Sequence, residues 1–263
     1  MKNRALAQWK QGTPSLGGWI NLPELHTAEL IARMGLDWLC FDLQHGLLSY
    51  SHLLALIPAI SATEATPLVR VAGNDAAAIG RVLDAGAHGV IVPMVNTAVE
   101  AARAVAACRY PPQGTRSCGP MRGIMLHGFD YLVTANAEIA CIAMIETGEG
   151  LENVEAIAAT PGIDALFVGP MDLCYGLGIT PGNFADPAFI AAIDKIKAAA
   201  SAAGIAIGMF GYNAALAARY LSEGFQFASI GTDVGFFRDG AKAALDAARG
   251  QTAGEGSGAT TGY

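Results

Sequence analysis

Two acidic residues are spaced so that they could share a cation. Glu146 closes the apolar run Ile142-Ala143-Met144-Ile145, and Asp172 follows Gly169-Pro170-Met171, 26 positions later. Each sits at the polar end of a short run rich in Ile, Val, Leu and Phe, where a buried parallel strand surfaces. A spacing of 26 is close to one β-loop-α-loop repeat, roughly 30 residues, so both carboxylates are expected on one rim of a parallel sheet. Oxygen-only ligands point to a hard divalent ion, Mg²⁺ or Mn²⁺ with Co²⁺ as a further candidate, six-coordinate and completed by water or substrate. A bidentate 2-oxo acid would fill two positions and have its carbonyl polarised. Either acid alone could be a helix N-cap or a loop ion-pair partner; the shared phase argues for a common site.

The same phase recurs earlier. Asp42 and Arg70 are 28 positions apart, each at the end of an apolar run. A guanidinium is always charged and presents fixed donors, which suits a developing oxyanion, although a structural Arg paired across the sheet end is the plain alternative. His45 lies three residues beyond Asp42, a spacing that lets a carboxylate orient an imidazole for acid/base work; alternatively it is a loop His bonded to backbone. Trp19 ends the first apolar run. Gly169-Pro170-Met171 and Gly208-Met209-Phe210-Gly211 could present backbone N–H groups to a substrate carboxylate, a weak signal because glycine turns after strands are common.

The lysines discriminate between mechanisms. All five (Lys2, Lys10, Lys195, Lys197, Lys242) fall in the N-terminal arm or on expected outer helices, so no Schiff base is expected at the rim, and carbon–carbon chemistry on a keto acid must use a metal. Dinucleotide and P-loop fingerprints are absent.

The elements that must position these groups alternate from end to end. Strands are expected at 16–20, 37–42, 67–71, 89–94, 140–145, 164–168, 205–209 and 226–230, and helices near 24–34, 51–62, 74–85, 97–108, 149–159, 187–203, 212–222 and 238–249. Eight βα units in 263 residues predict an α/β fold, a (β/α)8 TIM barrel, in one domain over residues 1–250. Residues 251–263 are small and polar and predict a flexible tail. The interval 109–138, rich in Pro, Gly, Arg and Met, predicts a long functional or disordered loop. A net charge of −7 without a basic block argues against nucleic acid. Five scattered cysteines without a CxxC pair, and a start lacking an apolar targeting segment, suggest a cytoplasmic protein. The uncharged stretch 198–218 reads as helix end, turn, strand and helix rather than a membrane span. With 52% hydrophobic and 15% charged residues, the excess apolar surface suggests oligomerisation.

Six motifs in order, Asp42-Leu-Gln-His45-Gly46, Pro67-Leu-Val-Arg70, Leu83-Asp84-Ala-Gly86-Ala-His-Gly89-Val-Ile-Val-Pro93, Tyr110-Pro-Pro-Gln-Gly114-Thr-Arg116, Ile145-Glu146-Thr147 and Gly169-Pro-Met-Asp172-Leu173, resemble the metal-dependent (class II) pyruvate aldolases. This is the family of 4-hydroxy-2-oxoheptanedioate aldolase and 2-keto-3-deoxy-L-rhamnonate aldolase. The resemblance covers roughly residues 5–250. It implies reversible cleavage of a 4-hydroxy-2-oxo acid, through a metal-bound enolate, to pyruvate or a close 2-oxo acid such as hydroxypyruvate, and an aldehyde. It implies that Glu146 and Asp172 hold the ion, that Arg70 stabilises the enolate, and that His45 is the acid/base on the aldol hydroxyl. The backbone from Gly169 through Pro170 and Met171 to Asp172 would hold the pyruvate carboxylate, and Trp19 would line the aldehyde side. Asp84 is implied to make His45 more basic. Its place near the end of the third expected helix puts it toward the opposite face, which is reconciled only if it serves a neighbouring subunit. Relatives are similar homohexamers with the last helix exchanged between partners. Three positions depart from the pattern: Gln44 stands where many relatives have Glu, Met144 where some have a Gln that contacts the enolate, and Met171 where a small residue or Asn is usual. These leave the enolate step intact and bear on acceptor preference. Two rivals remain, a CoA-ester lyase of the citrate-lyase β-subunit type, which would want a basic surface, and a non-catalytic assembly protein on the same barrel.

Overall fold

The protein, a computed structural model describing residues 2–250, opens on a short helix, α1 (Arg4–Lys10), and then alternates strand and helix. In chain order follow β1 (Ser15–Ile20), α2 (Leu25–Ala32), β2 (Trp38–Asp42), α3 (Tyr50–Ile60), β3 (Thr66–Arg70), α4 (Ala76–Asp84), β4 (Gly89–Val92) and α5 (Ala98–Cys108). Two helices, α6 (Met121–His127) and α7 (Asp130–Glu138), precede β5 (Ala140–Ile145), which leads to α8 (Gly148–Glu152), α9 (Val154–Ala158), β6 (Ala165–Val168) and α10 (Pro170–Gly176). The chain then makes α11 (Pro187–Ala203), β7 (Ala206–Met209), α12 (Ala214–Ser222), β8 (Phe227–Thr232) and α13 (Asp233–Ala248). Each strand pairs in parallel with the next, and β1 pairs with β8, closing an eight-stranded barrel.

The strands are unbroken apolar runs because both their faces are covered. Alternate side chains divide between two cores. Trp19, Trp38, Leu68, Ile142, Met144, Phe167 and Phe227 fill the barrel interior, while Phe41, Val69, Val90, Ile145, Val168 and Met209 face the surrounding helices. The interior is tight enough that a Cβ on Gly17 would overlap the Trp38 ring. The floor is closed by α1, which the sequence reading left as an arm. Asn3 caps it by accepting from the Leu6 N–H and bonds the carbonyls of His88 and Glu138 through its amide nitrogen, and Trp9 stacks on Phe227 at 4.1 Å.

Other expectations need correction. The interval 109–138 is not one long loop: α6 and α7 occupy its second half, and Tyr131 and Ala135 of α7 are buried at helical spacing. The expected helix 149–159 breaks at Asn153 into two short ones. The last helix begins at Asp233, five residues early, because Thr232 caps it by accepting from the Gly235 N–H. That helix buries only its first residue and leaves Phe236, Phe237 and Leu245 exposed. The uncharged stretch 198–218 is the end of α11, Gly204 in the left-handed conformation, β7 and the start of α12; among the described residues no helix is long and apolar enough to cross a membrane. The tail 251–263 lies outside the described residues.

Candidate active site

Asp42 and Arg70 are direct partners in the β2–β3 register, which explains their 28-residue spacing. The pairing is bidentate: Arg70 Nε donates to Asp42 Oδ1 at 2.9 Å and Nη2 to Oδ2 at 2.5 Å, with both side chains buried. Asp42 also accepts from Trp19 Nε1 and from the backbone N–H groups of Gln44 and His45. Five donors hold one carboxylate, so burial, which alone would raise its pKa, is outweighed by Arg70 and the other donors, and Asp42 lies below its ordinary value. The charged guanidinium is therefore fixed at the rim with its Nη1 outside this pairing. Asp42 reaches His45 through backbone, which shapes the loop that presents an exposed His45.

Glu146 directly follows β5 and is only 2% exposed. Its Oε1 accepts from the Met94 N–H at 2.7 Å. Burial pushes its pKa up to about 7; the Asp172 charge adds to this, while the Met94 hydrogen bond and Arg70 oppose it. Asp172 sits in the first turn of α10, which starts directly after β6 because Gly169 turns the chain and Pro170 occupies the first helical position. Gly169 is required by contact: a Cβ there would stand 2.5 Å from Glu146 Oε2 and 2.7 Å from Met144 Cε. A small cavity of about 30 Å³, roughly the space of one water or an ion, is lined by Arg70, Met144, Gly169, Pro170, Met171, Asp172, Phe210 and Tyr212.

These residues fit a divalent cation. A buried carboxylate, Glu146, whose pKa the neighbouring Asp172 charge helps to raise, forms with that neighbour a donor set that a cation would relieve. Among the described residues no group of three or more His, Cys, Asp or Glu converges, so a cation here would have two protein ligands and open positions, as Mg²⁺ and Mn²⁺ commonly require.

The rim thus unites Asp42, Arg70, Glu146, Asp172, Met144 and the segment Gly169–Met171, with His45 exposed beside it. Three candidates stand elsewhere. Met209 points outward into the strand–helix core, and its neighbour Phe210 lines the cavity instead; side chains alternate, and an all-apolar strand hides the phase. Trp19 is 1% exposed, packed beneath Phe210 at 4.9 Å and under the Arg70 guanidinium at 5.2 Å, so its ring supports the clamp rather than lining the acceptor side. Asp84 ends α4, a helix that returns from the rim, and there bonds Arg116 at 2.6 Å, toward the opposite end of the barrel from His45. A further rim acid, Asp233, is 1% exposed and accepts backbone N–H bonds from Asn21, Leu22 and Val234, which makes it a loop anchor. Tyr212, also lining the cavity and 4.9 Å from Phe210, escaped the sequence reading because it lies in the loop after β7. A far larger cavity, about 670 Å³, lies at the floor around Trp9, Lys10 and Lys197, where Asp164 is engaged by Arg109 and the Cys141 N–H; chemistry, not volume, marks the rim.

The model of the HpcH/HpaI aldolase/citrate lyase family matches residues 16–240. The chain is 37% identical to the hydroxypyruvate/pyruvate aldolase of Rhizorhabdus wittichii, over 94% of this chain and 99% of that one. It is 39% identical to the 4-hydroxy-2-oxo-heptane-1,7-dioate aldolase of Salmonella arizonae, over 92% and 93% of the two chains. A crystal structure of an HpcH/HpaI aldolase/citrate lyase family protein from Burkholderia cenocepacia superposes with a TM-score of 0.87 at 35% identity, covering 94% of this chain and all of that one. The chain belongs to the HpcH/HpaI aldolase/citrate lyase family.

Proposed function

We infer that the protein is a carbon–carbon lyase that reversibly cleaves a 4-hydroxy-2-oxo acid to pyruvate, or hydroxypyruvate, and an aldehyde. The observation that carries this reading is a buried carboxylate, Glu146, facing the half-buried Asp172 beside a clamped guanidinium, at a rim cavity that no lysine lines. Without an amine to form a Schiff base, the electrons released at C3 must be accepted by polarising the 2-oxo group. The aldolase names of the full-length relatives support the same reaction.

Glu146 and Asp172 would hold a divalent ion, Mg²⁺ or Mn²⁺ by the oxygen-only donor set, which supplies Lewis acidity to the 2-oxo acid. Arg70, kept in place by Asp42, directs an N–H toward the oxygen at C2 as negative charge develops there. The early backbone N–H groups of α10, around Met171 and Asp172, face the substrate carboxylate. His45 takes the proton from the C4 hydroxyl in cleavage and returns it in condensation, and solvent supplies the proton that C3 gains when the enolate becomes pyruvate. Asp84 cannot serve the His45 of its own rim; we assign it to the His45 of a neighbouring copy in a homo-oligomer, a hexamer on the family pattern. The exposed apolar residues Met121, Met125, Phe129 and Val133 of the α6–α7 corner, and those of α13, support assembly, with α13 exchanged between copies. Five unpaired cysteines support a cytoplasmic setting.

The test is pyruvate release, coupled to lactate dehydrogenase, across a panel of 4-hydroxy-2-oxo acids, with condensation of pyruvate and of hydroxypyruvate onto an aldehyde panel as the reverse measurement. Turnover of citryl-CoA or malyl-CoA in place of the oxo acids would favour the CoA-ester lyase instead.

A further inference from the structure

Arg116 is the least accessible guanidinium of the molecule's outer layer and its surroundings have no role in the rim. Its side chain is 1% exposed, and Nη2 donates to Asp84 Oδ1 at 2.6 Å and to the Tyr131 hydroxyl at 3.3 Å. The guanidinium lies over the Tyr110 ring at 4.5 Å and within 5.9 Å of the Tyr131 ring, so two aromatic faces fix its plane. Burial works against its charge, but Tyr131 and the Asp84 carboxylate more than compensate, and it stays cationic. Two of its groups, Nε and Nη1, are buried without a partner. Burying a guanidinium while leaving donors unmade costs stability that a Leu or Met of similar volume would not. The arrangement instead serves the one carboxylate it holds. Asp84 keeps 31% of its side chain exposed and opens, beside Arg116, into a cavity of about 370 Å³ shared with Arg81, Thr115 and Ser117.

We propose that Arg116 is a positioning residue for catalysis: caged by Tyr110 and Tyr131, it fixes the Asp84 carboxylate in the geometry in which that carboxylate meets the His45 of a neighbouring copy across this cavity. One oxygen of Asp84, Oδ1, is held by Arg116, which restricts the carboxylate's rotation and leaves Oδ2 outside that contact on a side chain that is partly exposed. The inference rests on the reading that Asp84 acts across the subunit interface, and goes beyond it in naming what orients Asp84 and why a charged residue is buried there.

The two ideas are separable because enolisation and aldol proton transfer use different groups. Exchange of the pyruvate methyl protons in D₂O, in which solvent takes the C3 proton and returns a deuteron, reports the Glu146, Asp172 and Arg70 machinery that stabilises the enolate, whereas condensation of pyruvate with propanal also needs His45. Assembly is checked by light scattering for each variant. Asp84→Asn tests the reading: condensation slowed with exchange unchanged supports it, and wild-type condensation overturns it whatever Arg116 does. Arg116→Met tests the proposal: condensation should fall about 10- to 100-fold while exchange stays within about twofold, Arg116→Lys should recover part of the loss, and Arg116→Met in the Asp84→Asn background should cost about twofold at most. If Asp84→Asn is slow and Arg116→Met is not, the proposal is overturned and the reading stands. Equal losses of exchange and condensation in Arg116→Met, or the same loss with and without Asp84, likewise overturn it. Should Arg116→Met not fold, Arg116→Lys is carried through the same cycle: a loss confined to condensation and absent in the Asp84→Asn background supports the proposal, and a loss that persists there overturns it.

Discussion

Gly169→Ala is the smallest change that should disable the site, and its effect can be worked from contacts. The backbone at Gly169, with φ −95° and ψ 90°, is open to alanine, so strain in the main chain is not the cause. The added methyl would stand 2.5 Å from Glu146 Oε2, 2.7 Å from Met144 Cε and 2.9 Å from Glu146 Cβ. Restoring an ordinary contact of 3.4 Å moves the carboxylate oxygen by about 0.9 Å. The Glu146 Cβ contact means that rotation of the carboxylate alone is not enough, and the Met94 N–H bond holds the other oxygen. Metal–ligand distances tolerate about 0.2 Å, so a shift several times larger should weaken the ion by about 10- to 100-fold, or about 1.4–2.7 kcal/mol. Overpacking should also cost about 1–3 kcal/mol of fold stability. The assay is Mn²⁺ binding by calorimetry and the Mn²⁺ dependence of pyruvate formation. A Gly169→Ala protein that binds Mn²⁺ with wild-type affinity would refute the argument that Glu146 Oε2 is a ligand held against that glycine.

Three further outcomes follow from buried groups. Asp42→Ala strands the Arg70 guanidinium in a buried setting and should cost about 3–5 kcal/mol in urea unfolding, whereas an intact midpoint would mean that Arg70 finds another partner. His88 is held neutral, its pKa lowered to about 4 by burial and by the neighbouring His127 and Arg122 charges; because the unfolded chain takes up the proton first, stability should fall as pH drops from about 6.5 toward 4, by up to about 3 kcal/mol, and His88→Gln should flatten that limb of the melting-temperature profile. Phe210→Leu should redistribute rates across an aldehyde panel while Met209→Leu should not, since only Phe210 lines the cavity; equal effects from both would contradict the strand phase seen at β7.

What could be read from the chain was what repeats. The 28-residue step from Asp42 to Arg70 is a register fact in the barrel, where the two residues face each other across β2 and β3. The end of β5 at Glu146 and the turn at Gly169-Pro170 were visible because apolar runs stop there. The single-residue phase of β7 was not visible, since a strand buried on both faces has no alternation to reveal that Phe210, not Met209, faces the cavity. The helix α1 was missed because seven residues are too few for a period to stand out, although the Asn3 cap and the apolar pair Ala5 and Trp9 were its signal. Nor could composition separate α6 and α7 from a loop when Gly, Pro and Met surround them. The burial of Trp19 and the anchoring of Asp233 depend on neighbours distant in sequence, which no local pattern records.

The proposed chemistry requires a metal held by Glu146 and Asp172. Its most direct test is pyruvate formation from a cleavable 4-hydroxy-2-oxo acid by wild type and Glu146→Ala, each stripped with chelator and then titrated with Mn²⁺. Stripped wild type should be inactive and recover fully with Mn²⁺, while Glu146→Ala should stay inactive at every concentration. Pyruvate release that survives complete metal removal, or that persists in Glu146→Ala, would contradict that requirement.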